Sequence, residues 1–157
     1  MLIQFQDYLL FENIYLWANF GVIPFWLLLT FFPNSRINQI LVNSIILPLI
    51  LSIAYVYILY QIILLKEPLL EIFNLYVSLE NLYIIFSSES FLLIFWLHFL
   101  AVNLFLGSWV SRDSVKYNIS RKLILIPLLL IYFAGPVGLV LYWFIRIFYS
   151  KKLGFHD

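Results

Sequence analysis

Four stretches without a single Lys, Arg, Asp or Glu, at residues 13–35, 37–65, 90–111 and 123–145, take up 97 of the 157 residues of this chain. A bilayer hydrocarbon core about 30 Å thick is crossed by about 20 mainly apolar residues in helical form. The four stretches are 23, 29, 22 and 23 residues long, so each can cross. Composition closes off the soluble alternative, at 64% hydrophobic and 11% charged against roughly 45–50% and about 25% in ordinary soluble domains. The expected fold class is an all-α integral membrane protein. It has four transmembrane helices and one amphipathic interfacial helix between spans two and three, in a single membrane domain over 1–157.

The spans are expected at about 15–32, 39–65, 91–110 and 123–145. Pro24 lies inside the first; its missing N–H and ring clash predict a kink there. In the second, Ser44, Pro48, Ser52 and Tyr55 share one face, which is expected to look at other helices. Between the second and third spans, Glu67, Glu71, Asn74, Ser78 and Asn81 recur at helical spacing, with Leu70, Phe73, Tyr76 and Val77 away from them. That pattern predicts an interfacial helix over about 66–88, too polar to span. It is acidic, so a protein partner is at least as suitable for the 66–89 segment as membrane lipid. The first apolar block follows Asp7 and Glu12, with no basic n-region before it and no small-residue cleavage site after it, and reads as a retained helix rather than a signal peptide.

Nine Lys plus Arg against eight Asp plus Glu give no electrostatic pull on nucleic acid, so none is expected as a partner. The absence of cysteine removes thiolate chemistry, disulfides and Cys-ligated metal. With four crossings, the loops on one membrane side hold four basic residues and those on the other five, which barely orients the chain. Seven of the eight acids fall on the first side, and that leans the basic third loop, 111–122, towards the cytoplasm or stroma.

Polar groups inside spans are costly and mark either helix contacts or a site. His98 is the imidazole of the third span and Asn103 its amide. Helical geometry sets His98 about 140° from a seam of Asn103, Gly107, Val110 and Ser114. Arg112 lies 14 residues beyond His98, about 21 Å along the axis, so the two cannot act on one atom. No His or carboxylate stands at i+3 or i+4 from His98, and no metal site is expected. Arg112 and Asp113 sit where the third helix meets water, suited to hold the oxygenated end of an amphiphile, or simply a positive flank. In the fourth span Pro136 frees the carbonyl of Tyr132, for which Asn103 or Asn19 is a candidate donor. Phe105, Trp109 and Tyr132 belong to an aromatic surplus of 16 Phe, 11 Tyr and 5 Trp. Such rings suit a rigid apolar ligand, and also lipid.

Asn19 to Pro24, Trp26, Leu27 to Leu29 and Pro33 in the first span, Trp96, His98, Asn103-Leu104-Phe105 and Arg112-Asp113 in the third, and Gly135-Pro136-Val137-Gly138-Leu139 in the fourth carry a likeness over about 13–147. In these the chain resembles the abscisic-acid-deficient-4-like family of small four-span membrane proteins. The resemblance implies a carotenoid-related role, as an epoxycarotenoid isomerase of the violaxanthin-to-neoxanthin type, in a thylakoid or bacterial inner membrane. That rearrangement is redox-neutral and needs an acid and a base but no cofactor. It would make His98 the proton acceptor, with Arg112 or Asp113 polarising an end-group oxygen and Asn19, Trp96, Asn103, Phe105, Trp109 and Tyr132 lining the substrate. Carotenoid and membrane lipid are then the partners, with carotenoid or another pigment as the bound group. The resemblance also places an amide, Asn103, where many relatives carry Asp, which speaks for the alternative: a non-catalytic pigment- or lipid-binding subunit of a photosynthetic or other membrane complex.

Overall fold

The computed structural model describes residues 10–42, 46–64, 73–74 and 76–151. Among them the secondary structure is helical throughout, in seven segments: α1 (Phe11–Phe31), α2 (Arg36–Leu41), α3 (Ile46–Leu64), α4 (Leu79–Phe86), α5 (Glu89–Lys116), α6 (Arg121–Ala134) and α7 (Pro136–Ser150). Three stretches are long and apolar enough to cross a membrane: Phe11–Phe31, Arg36–Leu64, within which 43–45 fall outside the described residues, and Glu89–Lys116.

Local sequence explains the boundaries. α1 runs through Pro24 as one helix and ends ahead of Pro33, whose ring cannot continue it. Ser35 caps α2, its hydroxyl accepting the Asn38 N–H at 3.1 Å. α5 closes where Asn118 takes a left-handed conformation (φ 52°), which lets the Ile119 N–H reach the Ser114 carbonyl at 2.9 Å. The buried side of α3 is the stripe Leu47, Leu51, Ile58 and Ile62. Ser52 is exposed, while Pro48 and Tyr55 are half-buried, so the less apolar face lies at the margin of the buried stripe rather than at its centre; Ser44 lies outside the described residues.

One other expectation is corrected and one is met only in part. Of the interfacial helix expected over 66–88, the described residues hold α4, which begins at Leu79 behind the cap of Ser78 on the Asn81 N–H, and no residue of α4 is buried. Residues 66–72 and 75 of that expectation lie outside the described residues. The fourth span, expected unbroken over 123–145, is divided at Gly135 into α6 and α7, of 14 and 15 residues. Gly135 has φ 36°, a conformation that a residue with Cβ rarely adopts, and Pro136 opens α7 at its first position. α7 folds back on α6. An added Cβ on Gly138 would stand 2.4 Å from the Ile131 amide nitrogen and 2.5 Å from the Pro127 carbonyl oxygen. Only glycine permits that backbone-to-backbone approach.

The chain forms two compact units, residues 1–21 with 49–101, and residues 22–48 with 102–157. In the second, the α6–α7 hairpin lies along the C-terminal half of α5. Its tip, Gly135, sits against Asn103, and further along α7 Tyr142 and Arg146 meet Asp113. α7 therefore runs parallel to α5, and α6 antiparallel to both.

Candidate functional site

In the first unit, Trp96 on α5 is fixed from three directions. Its Nε1–H donates to Asn19 Oδ1 at 3.1 Å, its ring tilts against Tyr15 at 6.1 Å, and it stacks on Phe99 at 5.2 Å. Asn19 is itself held, because its Nδ2 donates to the Tyr15 carbonyl at 2.7 Å. With both ends of the amide engaged, the indole has one orientation. Both partners of Asn19, the Tyr15 carbonyl and the Trp96 indole, lie in the same unit.

Beside this indole is a cavity of about 430 Å³ lined by Phe11, Glu12, Tyr15, Glu89, Leu92, Leu93 and Trp96. The α5 members follow i, i+3, i+4 and i+7, one helix face. Glu12 and Glu89 are the acidic residues of the first turns of α1 and α5. The arrangement is an apolar, aromatic-walled recess with two groups that can hold or move a proton. His98 does not join it. Two residues past Trp96 it points about 200° round the helix, and its side chain is exposed.

The second unit gathers most of the remaining candidates. The seam holds: Asn103, Gly107, Val110 and Ser114 are all buried. Gly107 takes the edge of Trp26, whose ring would stand 2.6 Å from an added Cβ, and Trp26 meets Tyr132 edge-on at 5.4 Å. Asn103 points its Oδ1 at Gly135, while its buried Nδ2 finds no hydrogen-bond partner. The expected bond from Asn103 to the Tyr132 carbonyl is therefore not made. Phe105 is 53% exposed and lines no wall here.

Asp113 is engaged within the protein. One oxygen, Oδ2, accepts from Arg146 Nε at 2.7 Å and from the Tyr142 hydroxyl at 2.7 Å. Arg146 also donates to the Tyr117 hydroxyl at 3.2 Å and lies over the Tyr117 ring at 4.8 Å, while Trp109 packs edge-on to Tyr142 at 5.7 Å. Arg146 is fully buried, so this is a closed polar cluster that ties α7 to α5. Arg112, next in sequence to Asp113, is exposed and borders a smaller cavity of about 280 Å³ with Pro33, Asn34, Gln39, Ser111 and Val115. Among the described residues, no group of three or more His, Cys, Asp or Glu could hold a metal ion.

Sequence reasoning missed Arg146, Tyr142 and Tyr117, and did not connect Glu12 and Glu89 with Trp96. The signals were present. Tyr142 and Arg146 are i, i+4 at the end of an apolar block, and Glu89 is i−7 from Trp96.

Among the described residues, the fold and these sites define an all-helical protein with three helices suited to cross a membrane and polar groups buried between helices. A family model described as ABA DEFICIENT 4-like matches residues 13–142, and the chain belongs to that family. It is 31% identical over 105 residues to the chloroplastic Protein ABA DEFICIENT 4 of Arabidopsis thaliana, a match covering 65% of this chain and 47% of that protein. The chain thus matches about half the length of that relative. No solved structure matches.

Proposed function

We propose that the chain is a carotenoid-related integral membrane protein that isomerises an epoxide end group to a hydroxy-allene, with the Trp96 cavity taking the reacting ring. Family membership supports the carotenoid role, and the chloroplastic relative supports a photosynthetic membrane as its setting. The observation that carries the site is the cavity of about 430 Å³ walled by Phe11, Tyr15, Leu92, Leu93 and Trp96, with Glu12 and Glu89 among its lining. An oxygenated six-membered ring with its methyl groups fits such a volume and such walls.

The chemistry needs no electron donor. The epoxide C–O bond on the polyene side breaks, the neighbouring chain carbon gives up its proton, and the oxygen gains one and remains as a hydroxyl. One carboxyl group donates the proton and the other accepts one. Trp96, oriented by Asn19, holds the ring between them. Asp113 is a structural residue in this reading, since its Oδ2 already accepts two internal hydrogen bonds.

The test is a set of variants in a violaxanthin-accumulating host. Glu12→Gln and Glu89→Gln are expected to lose conversion by at least a hundredfold, the usual scale of a general acid or base, while His98→Ala retains it. Loss with His98→Ala and retention with both Gln variants overturns the assignment.

The alternative of a non-catalytic pigment-binding subunit is favoured by one observation, the apolar α4 with no buried residue, suited to a protein partner. Purification in mild detergent separates the readings: a colourless, monodisperse monomer counts against the subunit.

A further inference from the structure

The α6–α7 hairpin sits where a fourth crossing is expected, and its dimensions do not reach across. α6 has 14 residues and α7 has 15, about 21–22 Å each at 1.5 Å per residue. The hydrocarbon core is about 30 Å thick, and apolar helices this short suit a buried or re-entrant segment better than a crossing. The contacts fix the same depth independently. The tip at Gly135 stands beside Asn103, and the far end of α7 at Arg146 stands beside Asp113 and Tyr117. Asn103 to Tyr117 is 14 residues of α5 and its end, again about 21 Å. Arg121, at the start of α6, donates to the Phe31 carbonyl at the end of α1. Both open ends of the hairpin thus lie at the C-terminal end of α5.

We infer that the chain crosses the membrane three times and that residues 121–150 re-enter without crossing, so that the tail emerges on the same face as the 117–120 turn, the cytoplasmic or stromal one. Charge supports this as an independent observation. With four crossings the basic residues divide four to five. With three crossings and a re-entrant hairpin, Arg36, Arg112, Lys116, Arg121, Lys122, Arg146, Lys151 and Lys152 share one face, eight of the nine, and Lys66 alone lies on the other. Six of the eight acids then lie opposite that basic face. A distribution so one-sided is what insertion imposes on short loops, with Lys and Arg retained inside. At the hairpin tip the backbone turn is packed against protein at Gly135 and Gly138, both buried, while the exposed side chains there, Phe133, Ala134, Pro136 and Val137, are apolar and suit lipid.

The absence of cysteine makes the test clean. Ser87→Cys, Ser120→Cys and His156→Cys are introduced singly in the full chain and treated with a membrane-impermeant maleimide on intact bacterial cells, and again after permeabilisation. The expected result is labelling of Ser87→Cys from outside, with the other two labelled only after permeabilisation. Labelling of Ser120→Cys and His156→Cys from opposite sides would establish a fourth crossing and overturn the inference. Labelling of both from outside would overturn the assigned face, and labelling of Ser87→Cys from the same side as Ser120→Cys would overturn the third crossing. A protease-cleavable tag after Asp157 repeats the measurement of the tail without any substitution.

Discussion

Arg146 and Asp113, 33 residues apart in sequence, form a 2.7 Å ion pair whose side chains are 1% and 9% exposed. It joins the returning arm of the hairpin to the end of α5. Removing one member of a buried pair leaves an uncompensated charge and costs about 3–5 kcal/mol, whereas replacing both with apolar residues is much cheaper. Arg146→Met and Asp113→Leu are each expected to lower the thermal midpoint in detergent sharply, and the double variant to recover most of the loss. Additive losses would mean that the two charges do not interact.

Gly138 carries the close approach of α7 to α6. An added methyl would stand under 3 Å from backbone atoms of Ile131 and Pro127, which cannot move aside as a side-chain tip can. Gly138→Ala is expected to destabilise by about 1–3 kcal/mol, the ordinary cost of overpacking. Gly21→Ala is its control. Nothing lies within 4 Å of a Cβ there, so helix propensity alone acts and the variant gains about 0.5–1 kcal/mol. Thermal unfolding of the two variants, read side by side, checks both signs.

The Asn19 amide sets the pose of Trp96 through a 3.1 Å hydrogen bond. Asn19→Leu leaves the indole N–H without that partner and frees the ring to turn. Conversion is expected to fall about tenfold, or about 1.4 kcal/mol in the barrier, with protein level in the membrane unchanged. Unchanged conversion would show that the indole orientation does not matter to the reaction.

The seam on α5 was readable from sequence because it needs only the 3.6-residue period: Asn103, Gly107, Val110 and Ser114 recur on one face, and all four are buried. The apolar blocks at 13–35, 37–65 and 90–111 were readable for the same reason, since length and absence of charge suffice. The block at 123–145 met the same criteria and still divides. Hydropathy records how apolar a stretch is, and not that Gly135 at φ 36° turns it back or that Gly138 lets the two arms touch. Pairings such as Asp113 with Arg146, or Trp96 with Asn19 at 77 residues' separation, depend on tertiary contacts that no local period encodes. His98 drew attention as the imidazole of an apolar helix, yet the helix angle that separates it from the buried seam also turns it from the cavity beside Trp96.

The proposed activity is the conversion of an epoxycarotenoid. Expression of the wild-type chain in a host that accumulates violaxanthin, followed by chromatography and mass spectrometry of the extracted pigments, measures it directly. The expected result is a new pigment of the same mass as violaxanthin, carrying an allene, at the expense of the parent. An unchanged pigment profile, with the chain present at normal level in the membrane fraction, would contradict it.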